Sequence, residues 1–130
     1  MAKIEGFCAT DVWDPPNYTQ AIKVTEAQTI LFLSGQVARE PDGSVAHRGD
    51  FKGQARAALR AIKALVEAAG GTMDSIVKLN TYLTDVRYRD EMPALYGEFF
   101  PRRLPAYTLL QVCALYHPDQ RIEIEAIAVL

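Results

Sequence analysis

The sequence predicts an α+β fold: one mixed β-sheet with two helices packed on one face. Three observations carry this. Five segments alternate apolar and polar residues as strands do, two others carry apolar residues at helical spacing, and both helices fall between strands. The predicted order is β-β-α-β-α-β-β, within a single domain spanning residues 1–130.

Residues 17–24 ("NYTQAIKV") and 29–38 ("TILFLSGQVA") read as strands joined by the polar turn "TEAQ". "EPDGS" is a turn signal, with Pro41 and Gly43 where their backbone preferences count. Asp50 is placed as the N-cap of a helix whose inner face is Phe51, Ala55, Leu59, Ile62, Leu65, Val66 and Ala69. Arg56, Arg60, Lys63 and Glu67 fall on its other side, and Gly70-Gly71 ends it.

"SIVKLNTYLTDV" follows as a strand, with Val77, Leu79, Thr81 and Leu83 on one side and Lys78, Asn80 and Tyr82 on the other. Helical spacing returns over residues 87–100 through Met92, Leu95, Tyr96, Phe99 and Phe100, with Pro93 tolerable only in a first turn. "PRRLP" breaks the chain again. Residues 106–115 and 121–130 close it as two strands around "YHPDQ".

Two helices on one side leave the other sheet face to explain. The strands are apolar at both parities: Leu31 and Leu33 against Ile30 and Phe32, and Leu109 against Leu110. A lone subunit would expose a large apolar patch, so the pattern predicts an oligomer packed through its sheet.

Composition narrows the function classes. Hydrophobic residues make up 49% and charged residues 23%, as in ordinary globular domains. No stretch approaches the roughly 20 apolar residues of a membrane helix, and "MAKIEGFCATDVW" has no secretory apolar region. A net charge of −2, from 14 basic and 16 acidic residues without a basic block, gives no reason to expect nucleic acid. Cys8 and Cys113 are expected as free thiols in a reducing cytoplasm, with one disulfide between them the alternative. His47 and His117 have nothing near them in sequence to complete a metal site, so no metal is expected.

The closing "RIEIEAIAVL" puts Glu123 and Glu125 on one face of a strand with Ile127 and Val129, opposite Ile122, Ile124, Ala126 and Ala128. Polar positions on a solvated strand are one reading of such glutamates; carboxylates held for chemistry are the other.

Taken together, "SGQV" (34–37), "ALVEAAGG", "IVKLNTYLTD" (76–85), "YGEFF" (96–100), Pro105-Ala106 and "IEIEAIAV" resemble the reactive-intermediate deaminase (Rid, YjgF-like) family along nearly the whole chain. The resemblance implies a chorismate-mutase-like fold and a homotrimer with a small-molecule cleft at each subunit interface. It also implies cofactor-free hydrolysis of 2-imino and 2-enamino acids to 2-oxo acids and ammonia. By position, Glu123 matches the glutamate assigned to water activation, Tyr18 a cleft tyrosine, and Gly35 a glycine whose backbone approaches the ligand.

The family's Pro-Ala-Arg is here Pro105-Ala106-Tyr107. Its cleft asparagine corresponds to Pro93, and its frequent cysteine to Leu109. Without an arginine to fork onto a carboxylate, the usual imino acids are expected to be poor substrates, unless Arg102 or Arg103 compensates. The expected function is thus hydrolysis of a different imine- or enamine-type C=N group, with Glu123 and Tyr18 catalytic. A non-catalytic trimer that binds a small ligand, or acts as a chaperone-like or regulatory module, is the alternative. For RNA cleavage, claimed for relatives, the acidic balance gives no support.

Overall fold

The computed structural model describes residues 2–130. Its strands are β1 (Lys3–Phe7), β2 (Tyr18–Thr19), β3 (Ala21–Thr25), β4 (Ile30–Gln36), β5 (Ile76–Leu83), β6 (Leu104–Gln111) and β7 (Ile122–Val129). The helices are α1 (Phe51–Ala68) and α2 (Met92–Gly97). The main sheet has the order β2-β6-β5-β7-β4, with β5 and β6 parallel and β7 antiparallel to both β5 and β4.

The first predicted strand divides in two. β2 pairs in parallel with β6, whereas β3 leaves the main sheet and pairs antiparallel with β1 as a separate two-stranded ribbon. β1 was not foreseen, because "KIEGF" is short and exposed throughout and takes its order from β3 across the intervening loop.

α1 matches its signals. Asp50 caps it, its carboxylate accepting the Gly53 amide at 3.0 Å, and the chain leaves through Gly70 at φ +93°. Leu59, Ile62 and Val66 are fully buried, each worth about 1.5–3 kcal/mol relative to exposure. Leu65, expected on the inner face, is 43% exposed at its margin, and Ala69 is exposed where the helix ends.

The second helix is shorter than predicted. Residues Val86–Glu91 form a 3-10 segment capped by Asp85, and α2 begins only at Met92. Pro93 explains the boundary: without an amide proton it fits a first turn and no later one.

Side chains on the two sheet faces follow from register. Ile124–Thr81–Leu109 and Ala126–Leu79–Tyr107 are rows on the helix-covered face. There Leu79, Thr81, Leu83, Ile122 and Ile124 are fully buried against α1 and against Leu95 and Tyr96 of α2. An irregularity between β5 and β7 places Ile76, rather than Val77, in that core.

The opposite face carries Glu123–Tyr82–Leu110 and Glu125–Asn80–Thr108. No helix covers it, and Phe32 (76% exposed), Ile30 (57%) and Leu110 (49%) stand open there. Among the described residues, no helix is long and apolar enough to cross a membrane.

Candidate functional site

Glu123 and Glu125 share the helix-free face but not their surroundings. Glu125 accepts hydrogen bonds from the Asn80 amide (3.1 Å) and the Tyr82 hydroxyl. That bond, with burial and the nearby charge, pushes the Tyr82 phenol up to about 12. Glu125 is thus a structural acceptor knitting β7 to β5, held by neutral donors.

Glu123 lies one pleat further along, where Gly35 of β4 faces it. A Cβ at position 35 would come within 2.6 Å of Glu123 Cδ, so the glycine provides the space that this carboxylate occupies. The carboxylate is half-buried and, among the described residues, accepts no hydrogen bond. Its lone pairs are open to a water or a ligand.

The remaining residues of interest gather on the other side of the sheet. Tyr107 projects from β6 toward α2, its ring 5.7 Å from Tyr18 and 5.5 Å from Tyr96. Trp13 meets Tyr18 edge-on at 6.4 Å, so the aromatic wall runs Trp13–Tyr18–Tyr107–Tyr96. Leu109 packs beside Tyr107 against the core.

Burial raises the Tyr107 pKa, beside the hydroxyls of Tyr96 and Thr81. Tyr96 itself is driven well above its ordinary value by burial, and it bonds to Thr81. Tyr107 is therefore a neutral phenol packed among aromatic rings. It cannot reproduce a guanidinium.

The neighbouring arginines do not fill that gap. Arg103 is tied to the segment before β2: its Nη2 donates to Asp14 Oδ1 (3.1 Å), to the Pro15 carbonyl (2.6 Å) and to the Tyr18 carbonyl (2.5 Å). Arg102 is exposed and lines, with Pro93, a separate cleft of about 270 Å³ that touches neither Glu123 nor Tyr107. Arg103's strap was not legible in sequence, because its partners lie 85 to 89 residues away.

Within one chain, then, the candidate residues form two halves. Glu123 and Gly35 lie on the helix-free face; Tyr107 and Leu109 lie on the helix-covered face with Tyr18 against them. Cys8 and Cys113 are free, and the described residues contain no cluster of His, Cys, Asp and Glu placed to hold a metal ion.

Comparison with known proteins gives this arrangement a family. The family model described as Endoribonuclease L-PSP, the YjgF/Rid family, matches residues 14–130. The chain belongs to this family. It is 40% identical over 111 residues to a RutC family protein of Pyrococcus horikoshii, covering 85% of each. Its fold is similar to that of a conserved Rid-family protein of Yersinia pestis, with a TM-score of 0.86 and 26% identity over 98% of both chains. E. coli TdcF, solved with bound serine, has a TM-score of 0.71 and 32% identity over 87% of each chain. The Rid fold accounts for the mixed sheet and the two helices on one face.

Proposed function

We propose that this Rid-family chain is a cofactor-free hydrolase of a reactive imine or enamine, working in a cleft shared between copies of itself. The observation that carries the reading is the Glu123 carboxylate, given its space by Gly35 and left without an internal donor. The open apolar face around Phe32, Ile30 and Leu110 supports assembly through the sheet, as a homotrimer. Such packing would bring the Glu123 half of one copy to the Tyr18–Tyr107 half of another.

In that cleft Glu123 accepts a proton from a water whose oxygen attacks the C=N carbon. The tetrahedral adduct then expels ammonia or an amine and leaves a carbonyl, so that one imine and one water become one carbonyl compound and one ammonia or amine. Tyr18 shapes the pocket, and the neutral Tyr107 offers an aromatic surface where a carboxylate would want a cation. Losing a charge-assisted pair costs on the order of 2–3 kcal/mol, a factor of about 30–150 in binding. Substrates without a carboxylate beside the C=N group are therefore favoured.

The test is ammonia and carbonyl release from a panel of enzymatically generated imines, half with a carboxylate and half without. The reading expects turnover concentrated in the second half and removed by Glu123→Gln. A fully active Glu123→Gln enzyme would sink it. Ligand-induced stabilisation with no turnover of any panel member would favour a binding protein instead.

A further inference from the structure

The cleft between α2 and the start of β6 is lined by neither Glu123 nor Tyr107, and it shares only Tyr96 with the aromatic wall. Its floor and walls are apolar, from Pro93, Tyr96, Phe100 and Leu104, and its volume is about 270 Å³. The polar groups facing it are few: Asn17, Arg102 and Arg103. A concave, largely apolar site with a small number of convergent polar groups is the usual form of a small-ligand pocket.

The charges can be followed one by one. Arg103 is spent on Asp14 and the Pro15 and Tyr18 carbonyls, which fixes the wall bearing Pro16 and Asn17. The Leu104 amide donates to the Asn17 carbonyl at 3.1 Å and secures the same wall to β6. Glu98, just past α2, is paired with Arg56 at 2.9 Å and does not compete for a cation in the cleft. Arg102 also borders a second cleft containing Asp74, yet among the described residues it makes no ion pair. One guanidinium without a protein partner thus stands at the mouth of an apolar cavity.

We infer that this cleft binds a small monocarboxylate with a compact aryl or branched-alkyl body, its carboxylate on Arg102 and its apolar body against Tyr96, Phe100 and Leu104. One free positive charge matches a single negative charge. A phosphate dianion would leave charge unbalanced beside an apolar floor, and a longer chain would exceed the volume. Asn17 also lines the cleft, as a further neutral polar group. This inference does not depend on chemistry at Glu123, and its test reads binding alone.

Phenylacetate, isovalerate and butyrate are titrated into the intact protein and followed by amide NMR, with phenylacetamide as the uncharged control. Saturable shifts are expected at Gly97, Phe100 and Leu104 for at least one acid. Phenylacetamide should bind about tenfold more weakly than phenylacetate, and Arg102→Gln should bring the acid down to the amide's level. Gly97→Leu supplies an independent check. Gly97 lines the cleft, and a Cβ there meets nothing within 4 Å, so the larger side chain can fill the mouth without disturbing the fold. It should abolish binding of acid and amide alike. No saturable binding by any of the three acids, equal binding of acid and amide, or full retention in either variant overturns the inference.

Discussion

Gly35 of β4 leaves the space in which the Glu123 carboxylate of β7 rests: a methyl group at position 35 would lie 2.6 Å from Glu123 Cδ and 2.9 Å from its Cγ. The glycine has an ordinary negative-φ backbone, so its role is steric rather than conformational. Gly35→Ala should leave the fold intact, with stability within about 1 kcal/mol, because Glu123 is half-buried and can change rotamer. It should lower imine hydrolysis by about tenfold or more, since a displaced carboxylate no longer meets its water. Thermal unfolding and ammonia release measured on the same preparation separate the two effects.

Tyr82 and Glu125 give a pH prediction. The Tyr82 phenol is raised from 10.0 to about 12, first by its hydrogen bond to Glu125, then by burial and charge. A group whose folded pKa is raised contributes stability that is fully present below its unfolded value and is lost as pH climbs toward the folded one. Stability should therefore fall between about pH 10 and 12. Glu125→Ala should bring the tyrosinate absorbance step back toward 10.0 and weaken that fall, as a spectroscopic titration would register.

Thr81 and Tyr96 bond to one another in the fully buried layer between β5 and α2. Tyr96→Phe removes one partner and leaves the Thr81 hydroxyl without it in the core. The expected loss is about 1–3 kcal/mol in denaturant unfolding, whereas the pair replacement Tyr96→Phe with Thr81→Val should recover part of it.

The sequence carried the main sheet and α1 because their signals are local. "RIEIEAIAVL" alternates as β7 does, with Ile122, Ile124, Ala126 and Ala128 buried, and Asp50 and Gly70 bracket α1. It did not carry the β1–β3 ribbon, whose weak strands are ordered by pairing across the chain, nor the break at Gln20 that sends β2 and β3 to different sheets. Position matching singled out Glu123, Gly35, Tyr18 and Tyr107 as candidates. That these fall on opposite faces required register, which a strand pattern alone does not supply.

Tyr107→Arg tests whether the missing cation sets the substrate. If it does, hydrolysis of 2-iminobutyrate-like acids should rise by about tenfold or more, read as 2-oxo acid formation. No rise with the assembly intact would mean that the packing of Tyr18 and Tyr96 around position 107, rather than its charge, excludes those acids.

The central claim is that one cleft draws Glu123 from one copy and Tyr18 with Tyr107 from another. It is tested most directly by complementation: Glu123→Gln and Tyr18→Ala/Tyr107→Ala chains are unfolded, mixed in equal amounts and refolded together. Each homogeneous assembly should be inactive, while the mixture should regain activity in up to about a quarter of its clefts, those pairing an intact half from each variant. A mixture no more active than the sum of its parts, with mixed assembly verified by mass, would contradict the shared cleft.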